Sequence, residues 1–192
     1  MRDKIVCLVG ASGSGKTSIA KELEKDGYYI IHSYTTRKPR EENEWGQIFI
    51  DDWEKDFHEG KLVGFEPVDG FQYIDVQEMI AYFEGYGVSY FATREQYRGK
   101  GTSIYVIDPT GAQEVHNTVE DADVMTIFLT VDRENRMCRM FEDNRCFDDI
   151  ENRLDKDRLI FNTCKCDYVV DANGELDEVV ETVKTIIEYG GM

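Results

Sequence analysis

Residues 10–17 read Gly-Ala-Ser-Gly-Ser-Gly-Lys-Thr, an instance of G-x-x-x-x-G-K-[ST], and no other feature restricts the fold so far. The pattern works only in context. A strand must lead into it and a helix must leave it, so that backbone N–H groups and the positive helix end face one anion. Both flanks are present: Ile5–Val9 is an apolar run suited to a strand, and Thr17–Lys25 has helical spacing that stops at Gly27. The glycines let the backbone wrap around phosphates, Lys16 suits the β and γ oxygens, and the Thr17 hydroxyl suits Mg²⁺. The expected phosphate ligands are therefore Gly10, Ser12, Gly13, Ser14, Gly15, Lys16 and Thr17, and the expected ligand is ATP with Mg²⁺.

Strand and helix signals alternate through the rest of the chain. Short apolar strands are expected at Tyr28–Ile31, Ser103–Ile107, Val124–Leu129 and Tyr168–Val170. One helix opens at Asp132 and Asn135 and runs to about Glu142. Another starts from a capping-box pattern at Asp148 and Glu151 and reaches about Phe161. A third spans Leu176–Tyr189, where Leu176, Val179, Val180, Val183, Ile186 and Ile187 share a face. The alternation predicts an α/β three-layer sandwich around a central parallel sheet. Segment 44–92 is different, rich in aromatics and glycine, with strand-like pieces at 47–50, 62–65 and 71–74 and small helices expected at 51–59 and 76–84. It reads as an inserted lobe beside the loop-bearing sheet. The expectation is a single domain over 1–192: a core of about 1–36, 93–131 and 160–192, an acceptor-binding lobe of about 37–92, and a helical lid of about 136–158.

The formal net charge of −17 excludes nucleic-acid and anionic-membrane partners, which require basic patches, but not small anionic ligands. Hydrophobic residues at 41% and charged residues at 32% describe a globular chain. No apolar run approaches the ~20 residues that span a bilayer. The short apolar stretch near the start runs straight into the glycine loop, so it reads as a strand and not as an export signal, and cytoplasm is the expected compartment. The 5 cysteines are an odd number, which favours free thiols over a disulfide framework.

The loop by itself does not define a reaction. Asp108-Pro109-Thr110-Gly111 fits a DxxG pattern and Asn152-Arg153-Leu154-Asp155 loosely fits a guanine-reading NKxD pattern, as in a switch GTPase. The second fit fails on context, because 148–161 has helical periodicity where a loop after a strand is required. Asp108 stands at the end of an expected strand, where open α/β sheets place ligands; it suits either Mg²⁺ or a helix N-cap. Arg37 and Arg40, in the segment SYTTRKPR (33–40), have the planar forks and spacing for a monophosphate, with Ser33, Thr35 and Thr36 as hydroxyl donors. Arg133, Arg136, Arg139, Arg145, Arg153 and Arg158 form a second group, borne on what reads as a helix–loop–helix lid. Phosphoryl transfer needs positive charge around the migrating group and exclusion of water, which such a lid supplies. Arg139, Arg145 and Arg153 are the expected functional members.

Taken in order, these pieces resemble the guanylate kinase family. The loop is similar to its GxSGxGK[ST], and SYTTRKPR to its S-x-T-T-R-x-P-R acceptor-phosphate motif. Gly46 and Phe49 resemble the G-x-x-Y that follows, GVSYFATREQ (87–96) its G-x-Y-Y-G-[ST] segment, and VIDPTG (106–111) its D-x-D-x-x-G. The resemblance covers nearly the whole chain and is tightest in the first forty residues. It implies transfer of the ATP γ-phosphoryl group to GMP, dGMP or a related nucleoside monophosphate. Lys16, Arg139, Arg145 and Arg153 would be catalytic, Thr17 and Asp108 would serve Mg²⁺, and Ser33, Arg37, Arg40, Asn43, Glu44, Tyr90 and Thr93 would form the acceptor site. Departures fall at acceptor positions: Asn43 replaces a glutamate flanked by Glu42 and Glu44, Phe49 a tyrosine, Ala92 a hydroxyl residue and Val106 an aspartate. The stretch around 66–86 is also longer than the family pattern. Two alternatives remain at this level: a P-loop kinase of another small-molecule acceptor, and a non-catalytic guanylate-kinase-like binding module.

Overall fold

The apolar run that leads into the loop forms β1 (Asp3–Gly10), and it is buried on both faces. Val6 and Leu8 face one way, into a cluster with Ile19, Ala20 and Leu23 of α1 (Lys16–Lys25) and Val179, Val180, Val183 and Ile187 of α5 (Leu176–Tyr189). Ile5, Cys7 and Val9 face the other way, onto Ala112 and Val115 of α2 (Pro109–Thr118), with Tyr97 and Tyr105. A strand covered on both sides has to be apolar without alternation, which is why the sequence shows an unbroken run.

The computed structural model describes residues 2–40, 42, 44–58, 61–67, 72–85, 87–161 and 164–190. β1 lies between β9 (Thr102–Val106) and β10 (Ala122–Thr130), with β2 (Tyr29–Ile31) and β11 (Tyr168–Asp171) outermost, in the order β11-β10-β1-β9-β2. All these pairings are parallel, so the expected central sheet and three-layer α/β class are present. Every strand then delivers its C-terminal end to the same edge, and that edge carries the glycine loop.

A second sheet is built from β3 (Ser33–Thr35), β4 (Gln47–His58), β5 (Lys61–Pro67), β6 (Gln72–Asp75), β7 (Met79–Gly85) and β8 (Val88–Thr93), ordered β6-β5-β4-β3-β8-β7. Two expectations are corrected here. Residues 51–58 continue the β4 strand, where a helix was expected over 51–59. Residues 76–84 form a 3₁₀ turn at Val76–Glu78 followed by β7, where another helix was expected. β4 pairs with β5 and β7 with β8, antiparallel in both cases, and these long-range ladders override the short helical spacing of the local sequence. Ala81 sits in a register shift of β7 between Ile80 and Phe83 with φ of 53°, a left-handed conformation for a residue with a Cβ.

Beyond the sheets, α3 (Arg133–Glu142) and α4 (Phe147–Ile160) form a hairpin with a small core of Met140, Ile150 and Leu154. α4 is capped two residues before the expected position: Cys146 is the N-cap, and Asp148 and Asp149 lie in the first turn, where carboxylates suit the helix dipole. Among the described residues no helix is long and apolar enough to cross a membrane.

Leu8 is wholly buried in the centre of the main cluster. Leu8→Ala is expected to cost about 2–5 kcal/mol of unfolding free energy in a urea titration. Tyr29→Ala, at a half-exposed edge position, is expected to cost under about 0.5 kcal/mol.

Candidate functional site: two clefts on a phosphate loop

The loop at 11–15 turns on Gly13 and Gly15, whose φ angles of 77° and 86° belong to the left-handed region. It is also tightly backed. A Cβ on Gly10 would meet the Leu129 carbonyl at 2.9 Å, and one on Gly13 would meet the Arg136 carbonyl at 2.7 Å. Lys16 Nζ donates to the carbonyls of Gly10 (2.5 Å) and Ala11 (3.0 Å) and lies 3.5 Å from Ser14 Oγ. Burial pushes the Lys16 pKa down to about 8; the Asp157 carboxylate opposes this and the Arg136 charge adds to it. Ser14 is buried, and Thr17 is exposed in the first turn of α1.

Among the described residues three clefts border this loop; one of about 580 Å³ meets it only at Ala11, beside Arg136 and Asp157, and the other two border the rest of it. The larger, about 620 Å³, is lined by Gly13, Ser14, Gly15 and Ser18, by Asn135, Cys138 and Arg139 of α3, and by Asn173–Glu175 after β11. The other, about 440 Å³, touches the loop at Gly10, Ser12 and Lys16. It runs between the central sheet and the second sheet, with Ser33, Gln47, Tyr82, Tyr90, Asp108 and Glu114 in its walls. Each is large enough for a small organic ligand.

Arginines gather near the Tyr90 wall of the second cleft, although none of Arg37, Arg40 and Arg153 lines it. Glu44 holds Arg37 with two hydrogen bonds of 2.8 and 3.1 Å, and the Arg40 backbone N–H donates to the same carboxylate at 2.8 Å. Arg37 Nε donates to Tyr90 Oη at 3.1 Å, and its guanidinium lies 5.3 Å from the centre of the Phe49 ring. The hydroxyl lost at position 49 is thus replaced by a cation–π face. Burial, together with the charges of Arg37 and Arg153, lowers the proton affinity of Arg40. Arg153 comes from α4, so cations of that helix and of the second sheet's loop feel one another. Like charges held together in this way suit an anion between them.

The expected site residues distribute unevenly over this geometry. Gly10, Ser12, Lys16, Ser33, Tyr90 and Asp108 line the second cleft. Asp108 is the N-cap of α2, accepting from the Gly111 N–H at 2.8 Å, so the capping role is realised. Arg139 lies over the loop in the first cleft, where a Cβ on Gly15 would stand 3.7 Å from its Nη1, and it donates to the Ala172 carbonyl at 2.8 Å. Arg145 pairs with Asp149 at 3.6 Å and lines neither cleft; Arg153 donates to Asp149 at 2.8 Å. Thr93 heads a 3₁₀ turn, its N–H bonded to Gln96 Oε1, and is not among the cleft-lining residues. Ala92 is buried in the core, and Asn43 lies outside the described residues.

Sequence reasoning missed four residues. Arg136 and Asp157 form an ion pair of 2.7 Å against the loop itself. Glu114 lines the second cleft with its pKa raised by burial and by Asp108, against a hydrogen bond from the Tyr82 backbone. Gln47 has its side-chain oxygen buried with no hydrogen-bond partner among the described residues. Only Arg136 left a local trace, in the arginine run.

No family model and no curated protein matches this sequence. Among solved structures, a guanylate kinase from Anaplasma phagocytophilum superposes with a TM-score of 0.59 at 17% identity, covering 100% of this chain and 87% of that one. The structure of APE1195 superposes at 0.47 with 16% identity over 97% of this chain and 96% of that one, too loosely to carry an argument. The chain therefore has the fold of that guanylate kinase at low sequence identity.

Burial opposes ionisation of Glu44, but the bonds from Arg37 and Arg40 and their charges outweigh it and hold the carboxyl below its ordinary range. A depressed folded-state pKa gives stability that is present above the unfolded value of about 4.3 and lost as pH falls through the folded one. Acid titration of the Trp45 fluorescence is expected to show this loss below about pH 4, with the step reduced in Glu44→Gln.

Proposed function

We propose that this chain is an ATP-dependent nucleoside monophosphate kinase that transfers the γ-phosphoryl group to GMP, dGMP or a related nucleotide. The observation that carries this reading is one glycine loop bordered by two clefts, the smaller of them holding Lys16, with Arg37, Arg40 and Arg153 gathered near its Tyr90 wall. The donor nucleoside takes the larger cleft, its phosphates lie along Gly13–Thr17, and the acceptor takes the smaller cleft with its phosphate towards Arg37, Arg40 and Tyr90. An acceptor phosphate oxygen then attacks the γ-phosphorus in line, and ADP leaves.

The residues act by position and charge, as phosphoryl transfer requires. Lys16 neutralises the migrating group, Arg153 reaches it from the lid, and Arg139 covers the donor phosphates. Glu44 orients the Arg37 and Arg40 forks, so its part is organisation rather than base reading. The Thr17 hydroxyl and the Asp108 carboxylate offer the hard oxygen donors that Mg²⁺ prefers. Among the described residues no cluster of three or more His, Cys, Asp or Glu forms a metal cage, which suits an ion held mainly by phosphates. Bound there, Mg²⁺ would offset charge on the β and γ oxygens. Guanine presents N1–H and N2–H₂ donors, and Glu114 and the unpartnered Gln47 oxygen are the acceptors offered in the cleft wall.

A coupled ADP-release assay over ribo- and deoxynucleoside monophosphates tests the reading. Turnover on a guanine nucleotide is expected, falling at least about 100-fold in Lys16→Ala. Glu114→Gln is expected to raise the acceptor KM about 10-fold while leaving the KM for ATP in place. ATP binding without turnover on any nucleotide would refute the acceptor assignment.

A further inference from the structure

The phosphate loop is gripped from outside by two lid side chains, and both act on Ser12. Asp157 Oδ2 accepts the Ser12 backbone N–H at 2.8 Å, and Oδ1 lies 3.4 Å from Ser12 Oγ. Arg136 Nε donates to the Ser12 carbonyl at 2.8 Å while its Nη2 donates to Asp157 Oδ2 at 2.7 Å. The pair is well hidden, with side-chain exposures of 14% for Arg136 and 11% for Asp157. One peptide amide of an anion-binding loop thus already has an anion, supplied by the protein.

The clefts say which part of a ligand this anion would meet. Gly13, Ser14 and Gly15 border the larger cleft, whereas Gly10, Ser12, Lys16 and Asp157 border the smaller. A triphosphate running from the first to the second therefore brings its terminal phosphate to Ser12, Lys16 and Asp157. A diphosphate stops short of them. One N–H cannot serve a carboxylate and a phosphate equally, and the two anions repel at this range.

We propose that Asp157 stands in for the terminal phosphate: it holds the Ser12 amide and Arg136 until a γ-phosphate displaces it, and so sets the loop's preference between triphosphate and diphosphate. This rests on the reading that the loop takes ATP. Displacement hands two donors, the Ser12 N–H and the Arg136 fork, from carboxylate to phosphate. It also couples loop to lid, because Asp157 belongs to α4 and Arg136 to α3, and both helices share the core of Met140, Ile150 and Leu154. A purely structural clamp would differ in sign, since weakening it would loosen the loop and reduce the affinity for every nucleotide.

Calorimetric titration of ATP and of ADP, each with Mg²⁺, separates the two. In Asp157→Asn, which keeps the shape and an acceptor for Ser12, ATP is expected to bind about 10-fold tighter with ADP unchanged. Adding Arg136→Gln to that variant is expected to remove much of the gain, and Arg136→Gln alone to weaken ATP but not ADP. The proposal is overturned if Asp157→Asn weakens both nucleotides or moves neither, and, should that variant not fold, if Arg136→Gln treats ATP and ADP alike. If wild type binds ATP no better than Lys16→Ala does, the triphosphate reading itself fails first.

Discussion

A loop that aims its amides at an anion must be held rigidly from behind, and here the last residues of β1 do the holding. Gly10 is packed so closely against Leu129 of β10 and against Ser14 that no side chain fits there. The strand is fixed in turn by parallel ladders on both edges and apolar clusters on both faces. Moving the loop would mean moving the centre of the sheet. Lys16, at the start of α1, inherits that position in the wall of the smaller cleft, while Gly13 and Gly15 border the larger. Preorganisation of this kind lets a bound phosphate meet its donors with little rearrangement.

The electrostatics follow from placing such a loop in a chain of net charge −17. Cations beside the clefts are seldom left alone: Arg37 has Glu44, Arg136 has Asp157 and Arg153 has Asp149. A guanidinium paired in this way is held in one rotamer and partly dehydrated before any ligand arrives. Lys16 and Arg139 make no ion pair among the described residues, and Arg139 lies on the opposite side of the loop over Gly15. The two sides of the loop therefore differ in character. On the Arg139 side the guanidinium has no ion pair among the described residues, whereas on the Ser12 side Arg136 is already paired with Asp157.

How much of this was legible in the sequence depends on the range of the interaction. The strand, loop and helix at 5–25 are written locally, as is α5, whose apolar period gives its limits at Leu176 and Tyr189. The lobe was misread where a short apolar spacing fitted helix and strand alike. Trp53 to Phe57 is four residues, yet β4 pairs with β5 and the ladder decides. The segment 33–40 was legible as an arginine pair but not as a circuit. Nothing in the sequence shows that Glu44 binds both arginines, or that Phe49 serves as a face where a hydroxyl was expected.

Asp157 marks the limit of such reading. It is one acidic residue in a helix with several, two positions from Asp155, and its local sequence is unremarkable. What sets it apart is that α3 and α4 fold back until residue 157 touches residue 12, a contact across most of the chain. The same packing makes Glu114 a cleft residue, because α2 lies against β7 and the left-handed turn at Ala81 places the Tyr82 N–H within reach of its carboxylate. In both cases backbone amides fix a carboxylate that solvent alone would leave mobile. The loop motif is therefore legible locally, while the acids that meet the loop and the cleft wall are brought in from distant elements.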